Sequence, residues 1–196
     1  MGMDMVTVEL EGKDGDSKRF PIYKELLCRD SKFFKAALTG GFSELTSRYQ
    51  AHRGVVKVKD TPEKTFRAFI QWLFTKDFVK TGYEEVIDYP LHELLDLFIF
   101  ADFYDVPELR ALVLERCARM TFDWTPEAVT RAYDRVPEDS EFIKKMVKRA
   151  LWNWHPDAFE EEKDLYPPQF VWDVMARSLK NRKNWPEPSV LDDNVY

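Results

Sequence analysis

FPIYKELLCRDSKFFKAALTGGFSE, residues 20–44, is the stretch that decides the fold of this 196-residue chain. Pro21 closes a strand that begins at Lys18, and a charged, apolar-patterned helix runs from it into Leu26, Leu27 and Cys28. Asp30 or Ser31 is placed to cap a second helix carrying the pair Phe33 and Phe34. Gly40 and Gly41 stop that helix, because glycine accepts the left-handed backbone of a helix end.

Upstream, Val6, Val8 and Leu10 alternate with Thr7 and Glu9, the period of a half-buried strand. The polar turn 12–16 joins it to the Lys18–Phe20 return strand as a hairpin. Downstream, residues 43–54 are polar and aperiodic, and Val55, Val56 and Val58 predict a third short strand.

Helices follow. Thr61 is expected to cap and Pro62 to open one with Phe66, Phe69, Ile70 and Leu73 on its apolar face. Residues 75–89 read as a long loop. Leu91, Leu94, Leu95, Phe98 and Ala101 line the next helix. Pro107 opens another, burying Leu109, Leu112, Val113, Cys117 and Met120. Thr125 and Pro126 start a further helix with Val129, Ala132, Tyr133 and Val136 on one face. Ser140 caps a long one carrying Ile143, Met146, Val147, Ala150, Leu151 and Trp154. Pro167 and Pro168 precede the last, with Val171, Val174, Met175 and Leu179. Its Trp172 is expected to cover Trp152 or Trp154, which cannot share one narrow helix face. From residue 181 the tail is polar and proline-broken, and disorder is expected there.

A few short strands followed only by helices is an α+β order. The expected architecture is a small three-stranded sheet covered by a cluster of helices and followed by additional α-helices.

This order resembles the BTB/POZ domain, in the subtype abundant in fungi, with a C-terminal helical extension. The residues that carry the resemblance are Phe20 to Leu27 as the opening motif and Ser31, Phe33 and Phe34 as the serine and aromatic pair. Val58 to Glu63, Phe66 and Trp72 to Thr75 match the third strand and helix. Leu94 to Leu97 and Ala101 to Leu109 match the paired late helices. The resemblance implies a BTB/POZ domain over 5–120, a helical extension over 121–180 and a tail over 181–196. Tyr23 stands where the family often has histidine. The swapped homodimer of many animal members uses a helix and strand ahead of the first core strand. Only five residues precede Val6, so a monomer, or a dimer through another surface, is expected.

Members of this family are protein-interaction modules. The resemblance therefore implies no enzyme and no cofactor. It implies a protein partner: a cullin, for a substrate adaptor of a ubiquitin ligase, or other BTB chains, for an assembly, scaffold or transcription-regulatory module without a cullin. Phe42-Ser43-Glu44 fits the apolar–x–acidic motif that such adaptors present to a cullin, and Phe74, Phe78 and Tyr104 would join Phe42 and Glu44 as contact residues. Core packing is the alternative for each aromatic.

Composition and charge exclude other classes. The net charge of −6 and pI near 5.2 argue against a nucleic-acid binder, and neither half of the chain is basic. No apolar run reaches the roughly 20 residues of a membrane span, and no secretory leader is expected. Cytoplasm or nucleus is the expected compartment, and no membrane partner is expected. Cys28 and Cys117, far apart in apolar helical patterns, are expected to be buried, reduced thiols. His52, His92 and His155 lack ligand spacing, so no metal is expected. Lys144, Lys145, Lys148 and Arg149 form a basic helix face, either solvated or turned to an acidic partner, and 160–162 is an acidic loop.

Overall fold

The computed structural model describes residues 4–11, 16–40, 54–77, 90–119, 125–153 and 161–181. The chain divides into two units, Met1–Phe122 and Asp123–Tyr196.

The first unit is built on strands β1 (Met5–Glu11), β2 (Ser17–Tyr23) and β3 (Val55–Lys59), in the order β2-β1-β3. β1 pairs antiparallel with β2, with Val8 opposite Phe20, and parallel with β3, with Val8 opposite Val56. Val6, Val8, Leu10, Ile22, Val56 and Val58 turn into the core. Glu9 points to the other face, between cross-strand neighbours Arg19 and Lys57, and accepts from Arg19 Nε at 2.8 Å. Opposite charges directly across a ladder are a favourable pair, so this face is held by ion pairs while the other is apolar. β2 does not stop at Pro21 as the sequence suggests; it continues to Tyr23, with Pro21 opposite Thr7. β2 lies at the edge of the described sheet, where a residue without an N–H loses no ladder bond.

Two short helices carry the chain from β2 toward β3: α1 (Lys24–Asp30) and α2 (Lys32–Thr39). Ser31 separates them in extended conformation and accepts the Phe34 N–H at 3.0 Å. Gly40 ends α2 at φ 78°, which explains the glycine. α3 (Glu63–Thr75), α4 (Leu91–Phe103) and α5 (Pro107–Arg119) complete the cluster. Thr61 does not cap α3. Pro62 holds that place, and the Thr61 hydroxyl donates to the Lys59 carbonyl at 3.1 Å. α4 buries Leu91, Leu94, Leu95, Leu97, Phe98, Phe100 and Ala101, too many for one stripe, so it is the central helix of the unit.

The core is aromatic. Phe34 stacks between Phe69 at 6.0 Å and Tyr104 at 5.4 Å, and Phe100 lies 4.8 Å from Phe69 and 4.6 Å from Tyr104. Such offset and tilted pairs add to the burial of their area. Between α4 and α5, Asp105 takes φ 46° and the Val106 N–H reaches back to the Ala101 carbonyl at 2.8 Å. That is a left-handed helix ending closed by a six-to-one bond, with aspartate in place of glycine.

The second unit comprises α6 (Pro126–Arg135), α7 (Glu141–Asn153), a 3-10 turn (Lys163–Leu165) and α8 (Pro168–Asn181). Thr125, at the helix start expected from sequence, accepts the Ala128 N–H at 3.3 Å, and Ser140 accepts the Ile143 N–H at 3.2 Å, the cap expected there. Val129, Ala132, Phe142, Ile143, Met146, Val147, Phe170 and Val174 are buried. The Tyr133 hydroxyl donates to Asp173 at 2.7 Å and ties α6 to α8. Trp172 is 65% exposed, and Met175 and Leu179 on the same stripe are also exposed; the expected cover over Trp152 or Trp154 concerns side chains outside those described. Phe170 and Val174, on the opposite side of α8, are the residues that anchor it.

Candidate functional site

Exposed aromatic side chains on rigid elements mark binding surfaces better than buried ones do. Phe74 satisfies this condition. It lies in the last turn of α3 and is 58% exposed, between the fully packed Trp72 and Leu73 and the helix end at Lys76.

That helix end is held from several sides. Lys76 takes a left-handed backbone at φ 57° and returns its N–H to Trp72 at 2.8 Å. Its ammonium sits 4.1 Å above the Trp72 ring, 2.7 Å from Asp30 at the end of α1 and 3.4 Å from Glu108 in α5. Arg29 forms a two-pronged pair with the same Asp30, at 3.0 and 2.7 Å. Arg116 of α5 donates to Asp77 at 2.8 Å. Burial pushes the Asp30 carboxyl up, but bonds and charge from Arg29 and Lys76 outweigh it, so its pKa falls below the ordinary value.

Beside Phe74 lies a groove of about 580 Å³, lined by Tyr23, Lys24, Leu26, Cys28, Thr39 and Phe74 among others. Its wall is mainly apolar, with Asp4 and Glu25 contributing acidic groups and Lys24 a basic one. Cys28 is half-buried here, more open than the sequence suggests, whereas Cys117 is buried; both are free thiols. Burial raises the Cys28 pKa, against a smaller pull from Lys24 and Lys35, so its thiol is a packing group and a weak nucleophile.

The other expected contact residues divide. Tyr104 is 2% exposed, stacked on Phe34 and edge-on to Phe33, so it is a core residue and not an exposed anchor. The aromatic that is exposed at that corner is its neighbour Phe103, at 59%. α4 is apolar on nearly every side, so sequence period alone offers no means of choosing between the two. Phe42, Glu44 and Phe78 lie outside the described residues. Tyr23 and Leu26, both within the opening motif of the sequence, also line the groove.

Among the described residues no group of three or more His, Cys, Asp and Glu is placed to hold a metal ion. No described helix is long and apolar enough to cross a membrane. The surface can bury an apolar segment against Phe74 and the groove wall, with Lys24 and Glu25 available to polar groups at its rim.

No curated protein matches the sequence. The model of the BTB/POZ domain matches residues 3–119, more than half of the chain, and its three-stranded mixed sheet and helical cluster are those described above, so this protein belongs to the BTB/POZ domain family, whose domains mediate protein–protein interaction.

Proposed function

We propose that this chain is a non-enzymatic protein-interaction module that acts as a substrate adaptor for a cullin-type ubiquitin ligase. The observation that carries the reading is Phe74, exposed at a helix end that Asp30, Lys76 and Arg116 immobilise, beside a mainly apolar groove. A pre-organised aromatic next to an apolar recess is the kind of feature on which interface energy concentrates. Phe42, Glu44 and Phe78 belong to the same proposed contact set through their match to the adaptor pattern. The helices of 121–180 extend the scaffold or recruit the substrate.

Calorimetric titration of the full chain with the N-terminal region of the cullin from the same organism tests this. Submicromolar binding that is lost in Phe74→Ala and in Phe42→Ala/Glu44→Ala supports the adaptor role. A folded protein that fails to bind at tens of micromolar removes the cullin and leaves the interaction module.

A second reading, assembly with itself or with other BTB chains without a cullin, is favoured by one feature of the second unit. Trp172, Met175 and Leu179 form an exposed stripe at i, i+3 and i+7 on α8. Light scattering decides it: concentration-dependent association that Trp172→Ala/Leu179→Ala abolishes supports assembly.

A further inference from the structure

α7 turns Phe142, Ile143, Met146, Val147 and Ala150 into the core of its unit. Lys144, Lys145 and Lys148 fall on the opposite arc, and Arg149 lies at its border beside Phe142, because successive helical residues advance by about 100°. Lys144 and Lys148 are exposed, and Lys145 and Arg149 are half-buried. Lys144 pairs with Glu141 of the same helix at 3.0 Å. Among the described residues Lys145, Lys148 and Arg149 have no carboxylate partner, and the buried Nε of Arg149 meets no acceptor. This differs from the first unit, where Lys57, Lys59, Lys76, Arg110 and Arg116 each face a carboxylate. The protein as a whole carries a charge of −6, and this face gathers four cations around the single carboxylate of Glu141. Lys144 with Lys148, and Lys145 with Arg149, are like-charge neighbours at i, i+4, a destabilising arrangement until an anion lies between them.

We propose that this face of α7 docks an acidic segment of a partner protein, a run of aspartate and glutamate residues. The spacing suits it. Side chains at i and i+4 leave the helix roughly 6 Å apart at Cβ, and alternate side chains of an extended segment recur at about 7 Å. Arg149 adds a planar fork that matches a carboxylate. A nucleic-acid duplex fits less well: it presents a charge about every 1.7 Å, and the net-negative chain repels it. The site is on the second unit and does not depend on the groove at Phe74.

The probe is a fluorescein-labelled decaglutamate peptide, with decaglutamine as its uncharged counterpart, read by anisotropy against the full chain. Decaglutamate is expected to bind at low salt and to be released near about 0.5 M salt, where charge interactions are screened within a few ångströms. Lys145→Glu/Lys148→Glu should weaken it by about tenfold or more, since two attractive pairs become repulsive. Lys180→Glu on α8 should leave it unchanged. Carbodiimide coupling of the peptide should map to Lys144, Lys145 and Lys148, a readout that needs no variant. Equal binding of decaglutamine, coupling elsewhere, an unaffected charge-reversal variant, or tighter binding of a DNA duplex or of phosphatidylserine vesicles would each overturn the proposal.

Discussion

The hydroxyl of Ser31 donates to the backbone carbonyl of Tyr104 at 2.6 Å while accepting the N–H of Phe34 at 3.0 Å. One buried side chain thus caps α2 and ties it to the end of α4, 73 positions along the chain. The Lys32 N–H adds a second link, to the Asp105 carbonyl at 3.3 Å.

Ser31→Ala removes both bonds and leaves the Phe34 N–H and the Tyr104 carbonyl short of a partner. Loss of a helix cap and exposure of the desolvation penalty should lower stability by about 1–3 kcal/mol. Urea unfolding followed by circular dichroism measures this, and an unchanged midpoint would show that water replaces the hydroxyl.

Phe74 and Phe69 are five residues apart on α3, yet their substitutions should separate binding from folding. Phe69 is fully buried among Phe34, Phe66 and Phe100, so Phe69→Ala should cost about 3–5 kcal/mol of stability. Phe74→Ala should shift stability by no more than about 0.5 kcal/mol and weaken partner binding by about 2 kcal/mol. Thermal melts paired with calorimetry distinguish the two; a large stability loss in Phe74→Ala would place that ring in the core.

Asp30 predicts an acid limb to the stability curve. Its folded-state pKa lies below the ordinary 3.8, so the unfolded chain binds the proton more readily. The stabilisation is therefore complete above that value and disappears as pH falls through the lower folded pKa. Denaturation midpoints below about pH 4 should drop less steeply in Asp30→Asn than in the parent. Parallel curves for the two proteins would show that Asp30 does not contribute.

Tyr133 gives the opposite limb. Burial first, and the bond to Asp173 second, push its phenol well above the ordinary value of 10. The folded chain holds this proton more tightly than the unfolded one, so its contribution is full below pH 10 and declines as pH rises beyond it. Tyr133→Phe should cost about 0.5–1.5 kcal/mol near neutrality. It should also remove one late-titrating tyrosine from the alkaline absorbance difference of the folded protein.

What local chemistry decides could be read directly from residue order. Alternation at Val6, Val8 and Leu10 marks β1, because a strand shows its faces at period two. Ser31, Thr125 and Ser140 are caps, because a side-chain oxygen three residues ahead of a free N–H needs only the local backbone to reach it. Gly40 ends its helix for an equally local reason. Properties that depend on which element lies across from a residue were not accessible in this way. The parallel pairing of β1 with β3 brings together strands more than forty residues apart. Pro21 stays within β2 only because no described strand pairs on its outer side. Tyr104 and Phe103 are adjacent aromatics with the same local pattern; Phe34, Phe100 and the Ser31 hydroxyl enclose the first and leave the second in solvent. Phe74, Trp172 and the open face of α7 are surfaces for the same reason: burial is decided by neighbours that the packed chain brings together, and helical period records only which side chains point the same way.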